Sequence, residues 1–158
     1  MARLQIVDVT IHDIVHVGHH MRAADVRELQ AVHGLDVNAM DALSRAVAVS
    51  TESFALVAPD DHPVAIFGVA QVFADITHAA PWLLGTEAFA RYPRDLVVLG
   101  RQVVDGWARQ YRQLSNCVDA RNVRSVAWLK ALGFEIHPPG PVGRAGEPFH
   151  LFTRQGCT

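Results

Sequence analysis

The sequence predicts a mixed α/β fold in which helices cover both faces of one central sheet. Before residue 50, apolar residues recur mostly at three- and four-residue steps, and beyond it they run in continuous or alternating stretches. The later segments then alternate between strand and helix, an order typical of an α/β sheet. At 158 residues and 50% hydrophobic, the chain is long enough for one well-filled core. We therefore expect a single domain over residues 1–158.

The N-terminal part is predicted to hold one short strand and three helices. Residues 4–9 are the expected strand, and Thr10 is the expected N-cap of the first helix. Gly34 is the expected end of the second helix, and Asp36 is the expected N-cap of the third helix. The three helices are predicted over residues 11–21, over residues 23–34, and from Asp36 as N-cap to Val49.

The rest of the chain is predicted to alternate between strands and helices. Residues 53–59 and 64–73 flank a short polar turn, which favours an antiparallel hairpin. Residues 74–80 have no clear pattern, and Pro81 is expected to begin the next strand. The elements that follow are a strand over 81–86, a helical turn over 86–92, the longest helix from Pro93 to about Gln113, a strand over 114–120, a helix from Asn122 to Gly133, a strand over 134–137, a loop over 138–148 and a final strand over 149–154.

One segment, LSNCVDARNVRSVAWLKALGF at residues 114–134, combines strand, turn, helix and stop. Its spacing Asn-x-x-Ser-x-x-Trp-Leu-x-x-Leu-Gly-Phe resembles the last conserved segment of the GNAT acyltransferase superfamily, with Asn122 opening the helix and Gly133 closing it. The resemblance implies a GNAT-like, mostly antiparallel central sheet flanked by helices on both faces. It also implies acetyl-CoA as a candidate cofactor.

In the superfamily that the segment resembles, acyl-CoA is held by successive backbone amides where the fourth strand meets the long helix. The matching stretch here is residues 82–87. Glu87 stands where the superfamily has a small residue, and its carboxylate competes with a diphosphate for the positive end of the helix dipole. The candidate cofactor-binding residues that the resemblance implies are Leu84, Gly85, Thr86, Asn122 and Ser125.

The catalytic groups are less clear from the same resemblance. Many GNAT enzymes protonate the leaving thiolate with a tyrosine, and this chain has Leu129 at that position, which cannot donate a proton. Asp75 and His78 are candidates for a general base, and Ser125 is a candidate for the missing acid. The alternative roles are a solvated pair in a connecting loop for Asp75 and His78, and helix packing for Ser125.

A wider resemblance extends from His20 to Phe152. The stretches MRAADVREL, PVAIFGV, PWLLGTEAF and VDARN resemble a family of small GNAT-like internal virion proteins of short-tailed bacteriophages. This resemblance implies a virion-associated structural or accessory component with degenerate acyltransferase motifs. Its expected partners are other virion proteins, and its expected location is the virion or the cytoplasm of the infected host. The alternative function is an active acyl-CoA N-acyltransferase that acts on an amine.

Composition argues against several other classes of function. A net charge of −2 with mixed signs gives no strong signal for nucleic-acid binding. No stretch approaches the roughly 20 apolar residues that span a bilayer, and we expect the protein not to be secreted. The sequence contains no G-x-S-x-G motif, so it gives no indication of a serine hydrolase. Cys117 and Cys157 are predicted to be free thiols.

The nine histidines include a group in the first predicted helix, where His12, His16 and His20 follow one another at four-residue steps beside His19. Two histidines at this spacing can share a zinc ion, but no H-E-x-x-H motif supports such a site. We therefore predict no metal. The group is interpreted as a helix face that becomes positive below about pH 6.5.

Overall fold

A computed structural model describes residues 3–157, and its strands lie in one sheet. The helices are α1 (Ile11–His19), α2 (Ala23–His33), α3 (Ala39–Val49), α4 (Pro93–Gln110) and α5 (Val123–Ala131), with a 3₁₀ turn at Glu87–Arg91. The strands are β1 (Gln5–Asp8), β2 (Glu52–Val57), β3 (Pro63–Val72), β4 (Asp75–Gly85), β5 (Gln113–Asp119), β6 (Glu135–Ile136), β7 (Gly140–Val142) and β8 (Glu147–Gln155).

The sheet has eight strands in the order β1-β2-β3-β4-β5-β8-β6, and β7 pairs with β8 beside β6. Every neighbouring pair is antiparallel except β4 and β5, which run parallel. The predicted mixed, mostly antiparallel α/β sheet is therefore confirmed. The β2–β3 hairpin is also confirmed.

Helices pack on both faces of the sheet, as predicted. The core on one face joins Val17 of α1 and Leu43 of α3 to Ile66 of β3. The core on the other face joins Trp107 of α4 and Leu129 of α5 to Phe67, the next residue of β3. Because successive side chains of a strand point to opposite faces, the continuous apolar run of β3 supplies both cores.

Local capping signals fix several helix ends where the sequence predicts them. Thr10 accepts from the Asp13 amide and Asp13 accepts from the Thr10 amide, which together make a reciprocal capping box. The side chain of Asn122 accepts from the Ser125 amide at the start of α5. Gly133 follows α5 with a φ of 91°, a left-handed conformation that favours glycine.

Other boundaries differ from the predictions. The third helix is capped by Asn38 instead of Asp36, since the Asn38 side chain accepts from the Asp41 amide. The C-terminal loop contains β7, which forms a hairpin with β8. The long helix α4 ends at Gln110, three residues before the predicted end, because Tyr111 is already extended.

Pro81 lies inside β4 and does not begin it, because the strand starts at Asp75. Pairing between β4 and β5 covers only His78 with Gln113 and Ala79 with Leu114, so it stops two residues before Pro81. Proline has no N–H to donate, and it is tolerated where a strand lacks a partner on that side. The position that the sequence suggests for a strand start is therefore a point where two strands separate.

No helix among residues 3–157 is both long enough and apolar enough to cross a membrane. Cys117 and Cys157 are both exposed and free, which confirms the prediction of free thiols. No disulfide bond therefore cross-links the described part of the chain.

Candidate functional site

The separation of β4 and β5 produces a wedge between their C-terminal halves. Beyond the two paired positions, the contact between the strands is a side-chain bond, from Asn116 Nδ2 to the Pro81 carbonyl at 3.0 Å. Gly85 ends β4 on one side of the wedge, and Asp119 ends β5 on the other. The residues that the sequence marks as candidate cofactor ligands stand at the open end of this wedge.

The first turn of α2 is bound directly to the end of β4. The Arg22 amide donates to the Gly85 carbonyl at 2.9 Å, and the Gly85 amide donates to Asp25 Oδ2 at 2.7 Å. Met21 adds an isolated antiparallel bridge to Thr86. Both polar groups of the Gly85 backbone therefore have partners within the protein.

Arg22 extends from α2 across the wedge to α5. Its Nε donates to Asp25 at 2.8 Å, and its Nη2 donates to Ser125 Oγ at 2.9 Å. Its guanidinium also lies 4.7 Å from the centroid of the Phe89 ring, a cation–π distance. Arg22 is 9% exposed and Asp25 is 1% exposed. A buried ion pair thus bridges the gap between the end of β4 and the start of α5.

The pKa of Asp25 is raised above its ordinary value because burial penalises the carboxylate. The hydrogen bond and charge of Arg22, and the hydrogen bond from the Gly85 amide, act in the opposite direction. Loss of either partner would leave a buried charge without compensation. The Arg22–Asp25 pair is accordingly a structural part of the site.

Glu28 performs the matching role at the end of β5. Its Oε1 accepts from the Asp119 amide at 2.8 Å and lies 3.5 Å from Asn122 Nδ2. Burial raises the pKa of Glu28 to about 7, although the bond from the Asp119 amide opposes that shift. Glu28 is therefore a carboxyl group that changes charge near neutral pH.

Asp119 itself forms a salt bridge with an arginine. Arg121 Nη2 lies 2.6 Å from Asp119 Oδ2. Burial works against ionisation of Asp119, but the hydrogen bonds and charge of Arg121 outweigh it and lower the pKa of this carboxyl group. Asp119 is thus an anion with its own cation, unlike Glu28.

The remaining predicted cofactor residues are also engaged within the protein. The Thr86 amide and hydroxyl both donate to the Val64 carbonyl, at 2.9 and 3.0 Å. Leu84 is buried in the core beneath α1 and α3. Glu87 accepts from the Ala23 amide at 3.2 Å, so its carboxylate contacts the N-terminus of α2. The structure brings Gly85, Thr86 and Ser125 to one place but gives each an internal partner.

The 3₁₀ turn fills the space between β4 and α4. Phe89 is buried and packs edge-on against Trp128, with 5.6 Å between ring centroids. At the start of α4, Asp95 accepts from the Arg3 and Leu4 amides at 2.5 and 2.8 Å. The hydrogen bond from the Leu4 amide, and to a smaller extent that from the Arg3 amide, lowers the pKa of Asp95. Asp95 therefore holds a negative charge at the N-terminus of α4.

A cavity of about 710 Å³ lies behind this network and extends into the cores on both faces of the sheet. Most of its lining is apolar, and Leu129 contributes to it from α5. Its polar lining includes Arg22, Asp25 and Glu28 from α2. The wedge therefore leads into a mostly apolar cavity that is partly open to solvent and has charged groups on one side.

Asp75 and His78 lie at the other end of β4, in the strand and not in a loop. Ten residues separate Asp75 from Gly85 along β4, a distance of roughly 33 Å in an extended strand. His78 Nε2 lies 2.5 Å from Ser115 Oγ on β5, and Asp75 is exposed and bonded to Thr77. The structure does not bring these two side chains to Ser125.

The histidines of α1 approach the turn between β2 and β3. The His16 ring centroid lies 4.6 Å from that of His20 and 5.7 Å from that of His62. Partial burial and the neighbouring histidines lower the pKa of His16. Between residues 3 and 157, no group of three or more suitable side chains is placed to hold a metal ion.

Sequence reasoning missed Arg22, Asp25 and Glu28 as members of this site. The three residues follow one another at three-residue steps, which places them on one face of α2. Charged residues on an amphipathic helix are normally solvent-facing, so this spacing indicates a polar surface when tertiary contacts are unknown. The burial of Arg22 and Asp25 and the partial burial of Glu28 follow from the position of α2 over the wedge.

No protein-family model matches the sequence, and no curated protein matches it. A GNAT-family acetyltransferase from Bacillus anthracis superposes with a TM-score of 0.71 over 97% of this chain and 95% of that chain, at 10% identity. Phosphinothricin acetyltransferase from Sinorhizobium meliloti, solved in complex with AcCoA, gives 0.69 over 98% and 89%, at 13% identity.

Spermidine N-acetyltransferase from Vibrio cholerae, solved with CoA and spermine, gives a TM-score of 0.68 over 97% of this chain and 95% of that chain, at 9% identity. Identities this low show a shared architecture and carry no substrate across. The chain has the fold of the GNAT acetyltransferases.

Proposed function

We propose that this protein is a GNAT-fold component of a bacteriophage particle that has lost acyl transfer from CoA. The observation that carries the loss of acyl transfer is the hydrogen bond between the Gly85 amide and the buried Asp25 carboxylate. In the GNAT superfamily this amide is expected to be among those that bind acyl-CoA. Here it is already satisfied by a carboxylate on the same chain.

Binding of acyl-CoA at this turn would require several internal contacts to break. Arg22, which joins Asp25 to Ser125, would have to leave its buried position, and separating a buried ion pair costs about 3–5 kcal/mol. Glu87 and Asp95 would also repel a diphosphate electrostatically. Leu129 supplies no proton for the leaving thiolate. These four features together support a site closed to the cofactor.

The virion role comes from the sequence resemblance over residues 20–152. Loss of catalysis is compatible with a structural role, because such a role requires the fold and its surface alone. In this proposal the partners are other virion proteins, and the protein resides in the particle or in the infected host cell before assembly.

Ligand-dependent thermal stability tests the closed site. Acetyl-CoA at millimolar concentration should leave the melting temperature unchanged, whereas a ligand that binds the native state raises it by mass action. A Gly85→Glu variant is the matched control, since it should respond in the same way as the natural chain. A saturable rise in melting temperature that Gly85→Glu abolishes would contradict the closed site.

Particle composition tests the virion role. Purified, salt-washed phage particles should contain this chain at a fixed copy number relative to the capsid protein, measured by quantitative mass spectrometry. Its absence from washed particles, with the chain present in the infected-cell lysate, would rule out that role.

One observation favours the second candidate function, N-acylation of an amine. Glu28 places a carboxyl group with a pKa of about 7 at the wedge, which suits a general base working near neutral pH. Acetyl-CoA consumption in the presence of a panel of primary amines is the measurement. Turnover that is lost in Glu28→Gln and retained in Glu135→Gln would establish that the protein is an N-acyltransferase.

A further inference from the structure

Three histidine rings meet where the C-terminal end of α1 lies beside the turn between β2 and β3. The ring centroids of His16 and His20 are 4.6 Å apart, and those of His16 and His62 are 5.7 Å apart. His16 is half-buried, whereas His20 and His62 are exposed. Two imidazoles of one helix are therefore close together, and a third imidazole from another element stands beside them.

The helix itself sets the separation of the first two rings. The His20 amide donates to the His16 carbonyl at 3.0 Å, so the helical hydrogen-bond pattern continues through His20. Side chains four residues apart lie on one face of a helix, one turn above the other. With Zn–N bonds of about 2.0–2.1 Å in tetrahedral geometry, two imidazoles on one zinc ion have centroids about 5 Å apart. The His16 and His20 rings are thus already spaced for one ion.

Negative charge lies on two sides of this ring cluster. Asp13, one turn before His16 on α1, is near enough to act on His16 electrostatically. In the β2–β3 turn, Asp60 Oδ2 lies 3.2 Å from His62 Nδ1. Since each carboxylate attracts positive charge, the surroundings of the rings favour a bound cation.

We propose that His16 and His20 together bind one divalent first-row metal ion of the kind that prefers nitrogen ligands, such as Zn²⁺. Water fills the other coordination positions, and His62 accepts a hydrogen bond from one of these waters. Imidazole nitrogen suits Zn²⁺, Cu²⁺ and Ni²⁺, whereas Mg²⁺ and Ca²⁺ prefer oxygen. The proposal does not rest on the proposed function, because neither CoA nor a virion enters it.

A site with two protein ligands differs from the sites that the sequence and the geometry argue against. The sequence lacks an H-E-x-x-H motif, and within residues 3–157 no three suitable side chains are placed around one ion. A pair of histidines needs neither of these features. What the spacing along α1 does not indicate is the approach of His62, which depends on the packing of α1 against the turn before β3.

Two other pairings on α1 are possible, and the geometry ranks them lower. The ring centroids of His12 and His16 are also one turn apart but 6.3 Å from each other. His19 takes no part in the ring contacts of the cluster. The expected ligands are therefore His16 and His20, and variants of His12 and His19 are the matched controls.

The probe is Zn²⁺ itself, titrated calorimetrically at pH 7.5 into the full chain after EDTA treatment and removal of the chelator. One ion should bind per chain with a dissociation constant in the micromolar range, and Mg²⁺ should give no binding heat. No binding at millimolar Zn²⁺, a stoichiometry well above one, or equal affinity for Mg²⁺ would overturn the proposal.

Single substitutions locate the ion. His16→Asn and His20→Asn should each weaken Zn²⁺ binding at least tenfold, because a chelate loses one of its two ligands. His12→Asn and His19→Asn should leave the affinity unchanged, and His62→Asn should weaken binding less than His20→Asn does. Full affinity in His20→Asn, or a tenfold loss in His12→Asn, would place the ion elsewhere and contradict the proposal. Unchanged affinity in His62→Asn would exclude a bond from the metal-bound water to His62.

Thermal unfolding gives a second readout that does not depend on binding heats. The two rings are held together by the helix, so Zn²⁺ binds the folded chain more tightly than the unfolded chain and should raise the melting temperature by mass action. His20 is exposed, so His20→Asn should fold and should lose this rise, whereas His19→Asn should keep it. An equal rise in the natural chain and in His20→Asn would refute the site.

Discussion

The Asp25 carboxylate accepts the Gly85 amide hydrogen bond at 2.7 Å, across 60 residues of sequence. The same oxygen accepts from Arg22 Nε at 2.8 Å, and Arg22 in turn reaches Ser125. One carboxylate therefore joins the end of β4 to α2, and through Arg22 to α5. This connection lies at the place where a GNAT-fold protein would be expected to hold acyl-CoA.

We expect strong energetic coupling between Arg22 and Asp25. Arg22→Ala and Asp25→Ala should each lower the free energy of unfolding by about 3–5 kcal/mol, because each leaves a buried charge unpaired. The double variant should cost well below the sum of the two. Urea unfolding of the four proteins measures the coupling.

The pair of Arg154 and Asp105 is the control for that cycle. Its side chains are 22% and 49% exposed and lie 2.5 Å apart. Solvent screening should limit its coupling to about 0.2–1 kcal/mol. Additive losses at Arg22 and Asp25, or an equal coupling in both pairs, would refute the structural role of the buried pair.

Glu28 should make the protein less stable as pH rises. Its pKa is raised from 4.5 to about 7 in the folded state, so the folded chain binds more protons than the unfolded chain between those values. The free energy of unfolding should therefore fall by up to about 3 kcal/mol from pH 4.5 to above pH 7. The measurement is urea unfolding at pH 5, 6, 7 and 8.

The Glu28→Gln variant isolates this effect from other titrating groups. The difference in unfolding free energy between the natural chain and the variant should shift in favour of the variant as pH rises from 5 to about 7, and should level off above that pH. A difference that is independent of pH would show that the Glu28 pKa is not raised.

His16 should act in the opposite direction at lower pH. Burial and the nearby His20, His62 and His12 lower its pKa below 6.5 in the folded state. The unfolded chain then binds more protons as pH falls below 6.5, so the stability that neutral His16 contributes is lost. His16→Asn should flatten the decline in melting temperature between pH 7 and pH 5. His19→Asn, outside the ring contacts of this group, should leave the decline unchanged.

Two glycines of α4 should respond differently to the same substitution. A Cβ at Gly106 would meet no atom within 4 Å, so Gly106→Ala should stabilise the helix by about 0.5–1 kcal/mol. A Cβ at Gly100 would lie 2.8 Å from Leu132 Cδ2 in the core, and this contact should remove the gain. Thermal unfolding of both variants distinguishes the two positions, and equal stabilisation would contradict the packing of α4 on α5.

Much of the fold follows from interactions between residues that are close together in the sequence. The capping box of Thr10 and Asp13, the Asn122 cap and the left-handed Gly133 each depend on residues within about three positions. The apolar periods of α4 and β3 likewise predict which residues are buried, whereas Ile11 and Val15 of α1 are exposed despite their apolar spacing. The resemblance of residues 114–134 to the GNAT segment identified the architecture from this local pattern.

The tertiary structure decided what happens at the wedge. Residues 75–80 become strand because they pair with β3, and Pro81 falls where β4 leaves β5. Arg22, Asp25 and Glu28 become site residues because α2 lies over the strand ends, where their partners are 60 to 103 residues away. Such burial depends on the order of strands in the sheet, which the local spacing of residues does not specify. The sequence by itself therefore determined most of the elements and the fold that they resemble, and the long-range contacts decided that Arg22, Asp25 and Glu28 lie at the expected cofactor site.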